Sequence, residues 1–228
     1  MSQTSILAER TSQTSETGRS KPVMSAAQDL SSTLVSRICH DLVSPVGAIV
    51  NGVDLVREIG GGDIDAELAM ISQSSNRASA LLQYYRIAFG AAADDSEISR
   101  NALHEQATAF LTSPRILMNW PASEGPHLSR PIAKLLLQAL LCARGLSGMR
   151  GMISVRMPEA DSLPLEVAIE SEGGPDAPEM LAHLTGVAPN PDVSPRLVEF
   201  ALTRTTAEQL GLEMHVEQEP GLTTIRLS

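Results

Sequence analysis

Ile38-Cys39-His40-Asp41-Leu42-Val43-Ser44-Pro45-Val46-Gly47-Ala48-Ile49-Val50-Asn51 is the stretch from which the fold of this chain can be read outward. Apolar residues recur at Val35, Ile38, Leu42, Val46, Ile49, Val53 and Val56, at spacings of three and four, which predicts one buried stripe along an α-helix. His40 lies off that stripe. It is rotated about 160–200° from Ile38 and Leu42 on a helical wheel, so its imidazole should face water. On the same outer face fall Ser36, Arg37, Ser44, Gly47, Asn51 and Asp54, mostly small or polar residues that leave room for a second protein to reach the ring. Pro45 removes a backbone hydrogen bond within the helix and predicts a bend near Val43 or Ser44.

Ser25 and Gln28 have the spacing of a capping box at the start of this helix, and Gly60-Gly61-Gly62 supplies its stop after Ile59. Asp63 can cap a second helix whose apolar residues Leu68, Ile71, Ala78, Leu82, Tyr85 and Phe89 follow a near-heptad pattern interrupted at Ser75 and ending by Gly90. The three glycines turn the second helix back antiparallel to the first. A lone hairpin leaves one side of its stripe wet, and pairing with a second copy would close a four-helix bundle about a twofold axis, so a homodimer is expected. The alternative is that the hairpin packs only on the remainder of its own chain. Residues 1–24, rich in Ser, Thr and Gln without periodicity, read as a disordered tail; 25–91 form the hairpin, 92–98 a small acidic linker and 99–228 a second domain.

The 228 residues are 43% hydrophobic but only 3% aromatic, so the core must be built mainly from Leu, Ile, Val, Met and Ala. A net charge of −10 with no Lys/Arg cluster argues against nucleic acid and favours a basic protein surface as partner. Cys39 and Cys142 offer neither a disulfide framework nor a spaced metal motif, and a Cys39–His40 metal site is poor because adjacent helical residues point apart. No apolar signal segment or uninterrupted membrane span is evident, and a reduced, cytoplasmic protein is expected.

The second domain reads as helix (Arg100–Leu111), short strand (Arg115–Trp120), strongly apolar helix (Arg130–Leu146) and paired strands (Met152–Met157 and Leu165–Glu170) around a loop at Pro158–Pro164. An irregular Pro-rich stretch, Gly173 to Asp192, leads to a helix near Pro195–Leu210 and strands at Glu213–Gln218 and Thr223–Leu227, turned by Pro220-Gly221. Helices over a mixed, mostly antiparallel sheet make an α+β sandwich. The leucines of 135–137 and 140–141, with Cys142, read as core; His104, His127, His183 and His215 read as ordinary surface or partly buried residues.

His40-Asp41-Leu42, with Pro45 five residues after the histidine, resembles the phosphoacceptor box of dimeric histidine kinases. The second domain resembles their ATP-binding domain in element order and in its close, Gln209-Leu-Gly-Leu-Glu-Met-His-Val-Glu before Pro220-Gly221, but departs from it in chemistry. Asparagines that hold Mg²⁺ and nucleotide in those kinases correspond to Gln138 and Cys142. The adenine-reading Asp-x-Gly-x-Gly segment is at best Glu170-Ser-Glu-Gly-Gly, and no glycine-rich phosphate loop precedes the helix at Pro195–Leu210. A histidine hairpin joined to such a domain resembles the ChpT family of dimeric histidine phosphotransferases, as do Gly47-Ala48-Ile49, Asn51-Gly52 and Tyr84-Tyr85-Arg86-Ile87-Ala88-Phe89-Gly90.

That resemblance implies a carrier in a bacterial cell-cycle phosphorelay. His40 would take phosphoryl from the receiver domain of a hybrid, CckA-like kinase and pass it to CtrA-like and CpdR-like response regulators. Mg²⁺ would come from the receiver, and this chain would bind no ATP or metal. Such a carrier needs an exposed neutral imidazole nitrogen aimed in line with phosphorus, and histidine as a residue type supplies one near neutral pH. Asp41 is either a helper of the ring or a solvated charge; Arg37, Ser44, Gly47, Asn51 and Asp54 are the expected receiver-docking residues. An ATP-dependent kinase with altered nucleotide ligands and a non-catalytic receiver-binding adaptor remain as alternatives.

Overall fold

The computed structural model describes residues 26–59, 63–91, 96–121, 125–148, 150–158, 163–171, 178–187 and 193–228. The expected tail, the Ser25 cap, the three-glycine turn, residues 92–95 of the linker and the Glu172-Gly173-Gly174 part of the degenerate nucleotide motif lie outside the described residues.

Helix α1 (Ala26–Ile59) continues through Pro45, and α2 (Asp65–Phe89) packs against it. The two helices are close at Gly52, where a Cβ would stand 2.6 Å from Ile71 Cγ1 and force that side chain to shift. Residue Ile64, not Asp63, occupies the N-cap of α2, but Asp63 Oδ1 still accepts the Asp65 N–H at 3.1 Å.

The apolar stripe of α1 proves to be two. Leu34, Ile38 and Leu42 pack against the core, whereas Val35 and Val46 are exposed along with Cys39, Val43 and Val50. At about 100° per residue, Ile38, Leu42 and Ile49 fall within about 40° of one another, and the five exposed residues occupy the adjoining sector. Spacings of three and four step between both sectors, which is why they read as one. On α2 the buried face is Leu81, Tyr84, Tyr85 and Ala88, while Leu68 and Leu82 of the expected set are exposed, because α3 and α4 cover its C-terminal half. Over Leu30–Ile59, α1 is long and apolar enough to cross a membrane by length and composition. The polar sector of Arg37, His40, Ser44, Asn51 and Asp54 within that span suits instead a bundle helix with one face in water.

The second domain follows as β1 (Glu97–Ile98), α3 (Arg100–Leu111), β2 (Ile116–Asn119), β3 (Leu128–Ser129), α4 (Arg130–Leu146), β4 (Gly151–Arg156), β5 (Leu165–Glu170), α5 (Pro178–Thr185), α6 (Val198–Gln209), β6 (Met214–Glu219) and β7 (Leu222–Leu227). Its sheet runs β2-β4-β5-β7-β6, with β2 parallel to β4 across the α4 connection and the other pairs antiparallel. Alternation buries Ile153 and Val155 of β4 and Leu165, Val167 and Ile169 of β5, and α4 packs on both strands. The β6–β7 hairpin turns at Pro220-Gly221, where Gly221 takes φ +77°, a conformation that favours glycine.

Three expectations for this domain are corrected. Glu97–Ile98, placed in the linker, pair with Leu128–Ser129 as β1 and β3. The Pro-rich stretch read as irregular contains α5, since proline is tolerated in a first helical turn. Helix α6 starts at Val198, three residues after Pro195.

Candidate functional site

His40 projects from α1 with 82% of its side chain exposed, and its Nδ1 lies 3.3 Å from Asp41 Oδ1. Asp41 is no solvated charge: only 20% of its side chain is exposed. Its Oδ2 accepts a hydrogen bond from the Tyr85 hydroxyl on α2 at 2.9 Å and meets Arg37 Nε, one turn back on α1, at 3.2 Å. Burial and the Asp41 carboxylate push the Tyr85 phenol upward, so it stays a proton donor. An Nδ1–H shared with Asp41 leaves the Nε2 lone pair as the free nucleophile on the ring.

Arg37 links this cluster to the second domain, its Nη2 lying 3.6 Å from Oε1 of the buried Glu199 on α6. Burial works against the Arg37 charge, but Glu199 and then Asp41 outweigh it and raise its pKa. For Glu199 burial wins: its carboxyl is raised above the usual range despite Arg37. Both shifts describe one bridge, which secures the cation more fully than the anion.

Of the expected docking residues, Ser44, Asn51 and Asp54 are exposed, Asp54 Oδ1 lying 3.4 Å from Arg57 Nη1. Gly47 is half-buried, yet a Cβ built on it would meet nothing within 4 Å. Arg37 is turned inward to its two carboxylates. Beside His40 a cavity of about 220 Å³ opens between hairpin and sandwich, lined from α1 by Arg37, His40, Asp41 and Ser44, from α2 by Arg77, and from α4 and α6 by Arg144 and Glu199. Sequence reasoning missed Arg77, Arg144 and Glu199 as site residues. Arg144 gives one signal, a lone charge after a run of leucines, which a residue at a helix C-terminus also gives; Arg77 and Glu199 share their helical faces with other polar residues and give none.

Gln138 and Cys142, the places that resemble the nucleotide-holding positions of kinases, each have a partner within the protein. Gln138 Nε2 donates to the Ala88 carbonyl at 2.7 Å, and Cys142 Sγ lies 3.2 Å from Thr203 Oγ1, its thiol pushed up by burial. With Tyr84 donating to the Leu137 carbonyl and Lys134 Nζ to the Gly90 carbonyl, α4 grips the C-terminal end of α2. His104 stands edge-on to Trp120, while His127 and His215 face Glu97 and Glu213 at the surface. Among the described residues, no group of three or more His, Cys, Asp or Glu is placed to hold a metal ion.

Residues 100–221 match the family model described as the histidine phosphotransferase C-terminal domain. The protein phosphotransferase ChpT of Brucella abortus (strain 2308) is 36% identical over 201 residues, covering 86% of this chain and 94% of the relative. A solved bacterial phosphotransferase superposes with a TM-score of 0.73 at 30% identity, covering 92% of this chain and 100% of that one. A weaker likeness, TM-score 0.41 at 19% identity, covers 88% of this chain and 92% of the histidine kinase domain of a blue-light activated kinase from Erythrobacter litoralis. On the family match and the extent of the ChpT likeness, this chain belongs to the ChpT-type histidine phosphotransferases.

Proposed function

We propose that the chain is the histidine carrier of a multistep phosphorelay, with His40 accepting phosphoryl from the receiver aspartate of a hybrid, CckA-like kinase and delivering it to CtrA-like and CpdR-like regulators that control the cell cycle. The observation that carries this reading is the His40 ring, exposed yet held at Nδ1 by a carboxylate that is itself anchored on two sides. Nε2 attacks phosphorus as the bond to the aspartyl oxygen breaks. The receiver recovers its carboxylate, the Nδ1 proton stays on the ring, and Asp41 faces the imidazolium charge that results. The receiver brings Mg²⁺, and the reverse sequence returns the group to another aspartate. Commitment of Gln138 and Cys142 to protein partners supports a second domain that binds no ATP, and the family supports a cytoplasmic protein.

The carrier acts as a homodimer in this reading. The exposed sector of Val35, Val43, Val46 and Val50, with Cys39 among them, is the surface a second hairpin would cover to close the bundle. Ser44, Gly47, Asn51 and Asp54 continue from His40 along the same side of α1 and would meet the receiver.

A relay between two purified receiver domains tests the assignment. His40→Ala should abolish passage of label while the protein stays folded; a relay that survives the change defeats it. Label appearing on His40 from ATP and Mg²⁺ alone would make the chain a kinase instead.

A further inference from the structure

The cavity beside His40 carries three guanidiniums, from Arg37, Arg77 and Arg144, against two carboxylates, from Asp41 and Glu199. Arg37 takes both carboxylates, at 3.2 and 3.6 Å. Arg77 and Arg144 have no ion pair among the described residues, and Arg144 Nε is buried without a hydrogen-bond partner there. Its guanidinium carbon lies 4.9 Å from the Phe110 ring centroid, which gives the fork a wall to rest on, and the Asp41 carboxylate attracts it without forming an ion pair. Burial, and then the like charge of Arg77, hold the Arg144 pKa below its usual value. In a chain of net charge −10 the lining of this cavity thus carries one more cation than anions.

We propose that Arg77 and Arg144 form a phosphoryl cradle, holding the equatorial oxygens of the group that moves on and off His40 Nε2. The cradle rests on the carrier reading above and adds to it: Arg144, from the sandwich, gives that domain a direct part in transfer. A forked, always-charged donor suits a phosphoryl group because it pairs with two oxygens at once and needs no proton change. Both arginines line the cavity that His40 lines, so in this proposal they face the phosphoryl charge as the aspartyl P–O bond breaks and the Nε2–P bond forms. Asp41 keeps the opposite, ring side of the same transfer.

The test uses the full chain and has two arms. In the first, inorganic phosphate is titrated into the unphosphorylated protein while the Arg144 Nε–H resonance is followed by NMR. A saturable shift is expected that chloride at equal ionic strength does not give and that Arg77→Gln weakens about tenfold. Loading His40 with phosphoramidate should give a like shift without added phosphate. His40→Ala should remove that second response and leave the first.

In the second arm, label is moved from a phosphorylated receiver domain. Arg144→Met should slow its arrival at His40 about a hundredfold and Arg77→Gln about tenfold, with Arg144→Lys between wild type and Arg144→Met. Arg77 is exposed on α2, so Arg77→Gln tests the cradle even where Arg144→Met fails to fold. Transfer at the wild-type rate in Arg77→Gln and Arg144→Lys overturns the proposal, even where phosphate binds, because the site then only holds anions. An absent phosphate response overturns it as well. Failure of the carrier reading itself would appear separately, as a relay indifferent to His40→Ala with the phosphate titration intact.

Discussion

Helices α1 and α4 are both rich in apolar residues and meet opposite fates. Of the 17 residues of α4, 11 are buried, whereas among the described side chains of α1 only Pro45 and Gly52 are. α4 is enclosed by α2, α3, α6 and the sheet, so its leucines find partners all round the helix. α1 is supported on one flank, presents His40 on a second and leaves a valine sector bare on the third. Apolarity alone therefore does not say where a helix is spent; the angular spread of the apolar residues, and what the rest of the fold can reach, decide it.

The widest gap should appear between Leu136→Ala in α4 and Val50→Asp in α1. Leu136 is fully buried, and its truncation should cost about 2–5 kcal/mol in urea-induced unfolding through lost transfer energy and a residual cavity. Val50 is 53% exposed, so the aspartate should leave the fold of the single chain intact while splitting the dimer proposed above in sedimentation equilibrium. In the dissociated variant, the exposed Cys39 should react faster with a thiol reagent, and Cys142, fully buried, serves as the slow internal reference. An equal loss of monomer stability in both variants would break the contrast.

A finer comparison lies within α1. Gly52→Leu drives a side chain into Ile71 and should cost about 1–3 kcal/mol of unfolding free energy, as overpacking does. Gly47→Leu enters open space and should leave thermal stability near wild type while slowing phosphoryl transfer, because the new side chain stands on the face proposed to dock a receiver. Unchanged transfer in Gly47→Leu would remove that residue from the docking face.

Much of this is legible before any coordinates. The exposure of His40 follows from its angle to Ile38 and Leu42, and the leucine run of α4 announces a core helix by its density. The division of α1 into supported and bare sectors is not legible, because Val46 and Ile49 look alike until it is known which side α2 occupies. The buried face of α2 is caught only in part, at Tyr85 and Phe89, for a related reason. Leu82 fits the heptad, but Leu81 and Tyr84 are what α3 and α4 cover, and a pattern set by a distant element leaves no local mark. Asp41 shows the same limit: adjacent helical residues diverge, and the partners that fix its carboxylate, Tyr85 on α2 and Arg37 one turn back on α1, can be named only once the side chains are placed.

The smallest effect concerns the bridge between the two regions and can be read as a pH dependence. Burial raises the Glu199 carboxyl, and Arg37 only partly opposes it. A carboxyl raised in the folded state binds its proton more tightly there than in the unfolded chain. Its contribution is thus fully present below the ordinary carboxylate range and is lost as pH climbs through the raised value. Between about pH 4 and about pH 8, wild type should therefore lose stability relative to Glu199→Gln, whose amide does not titrate. Denaturation midpoints of the two proteins across that range measure the difference. A constant offset would mean that Arg37 stabilises the Glu199 carboxylate fully, and that the joint between hairpin and sandwich is an ordinary ion pair.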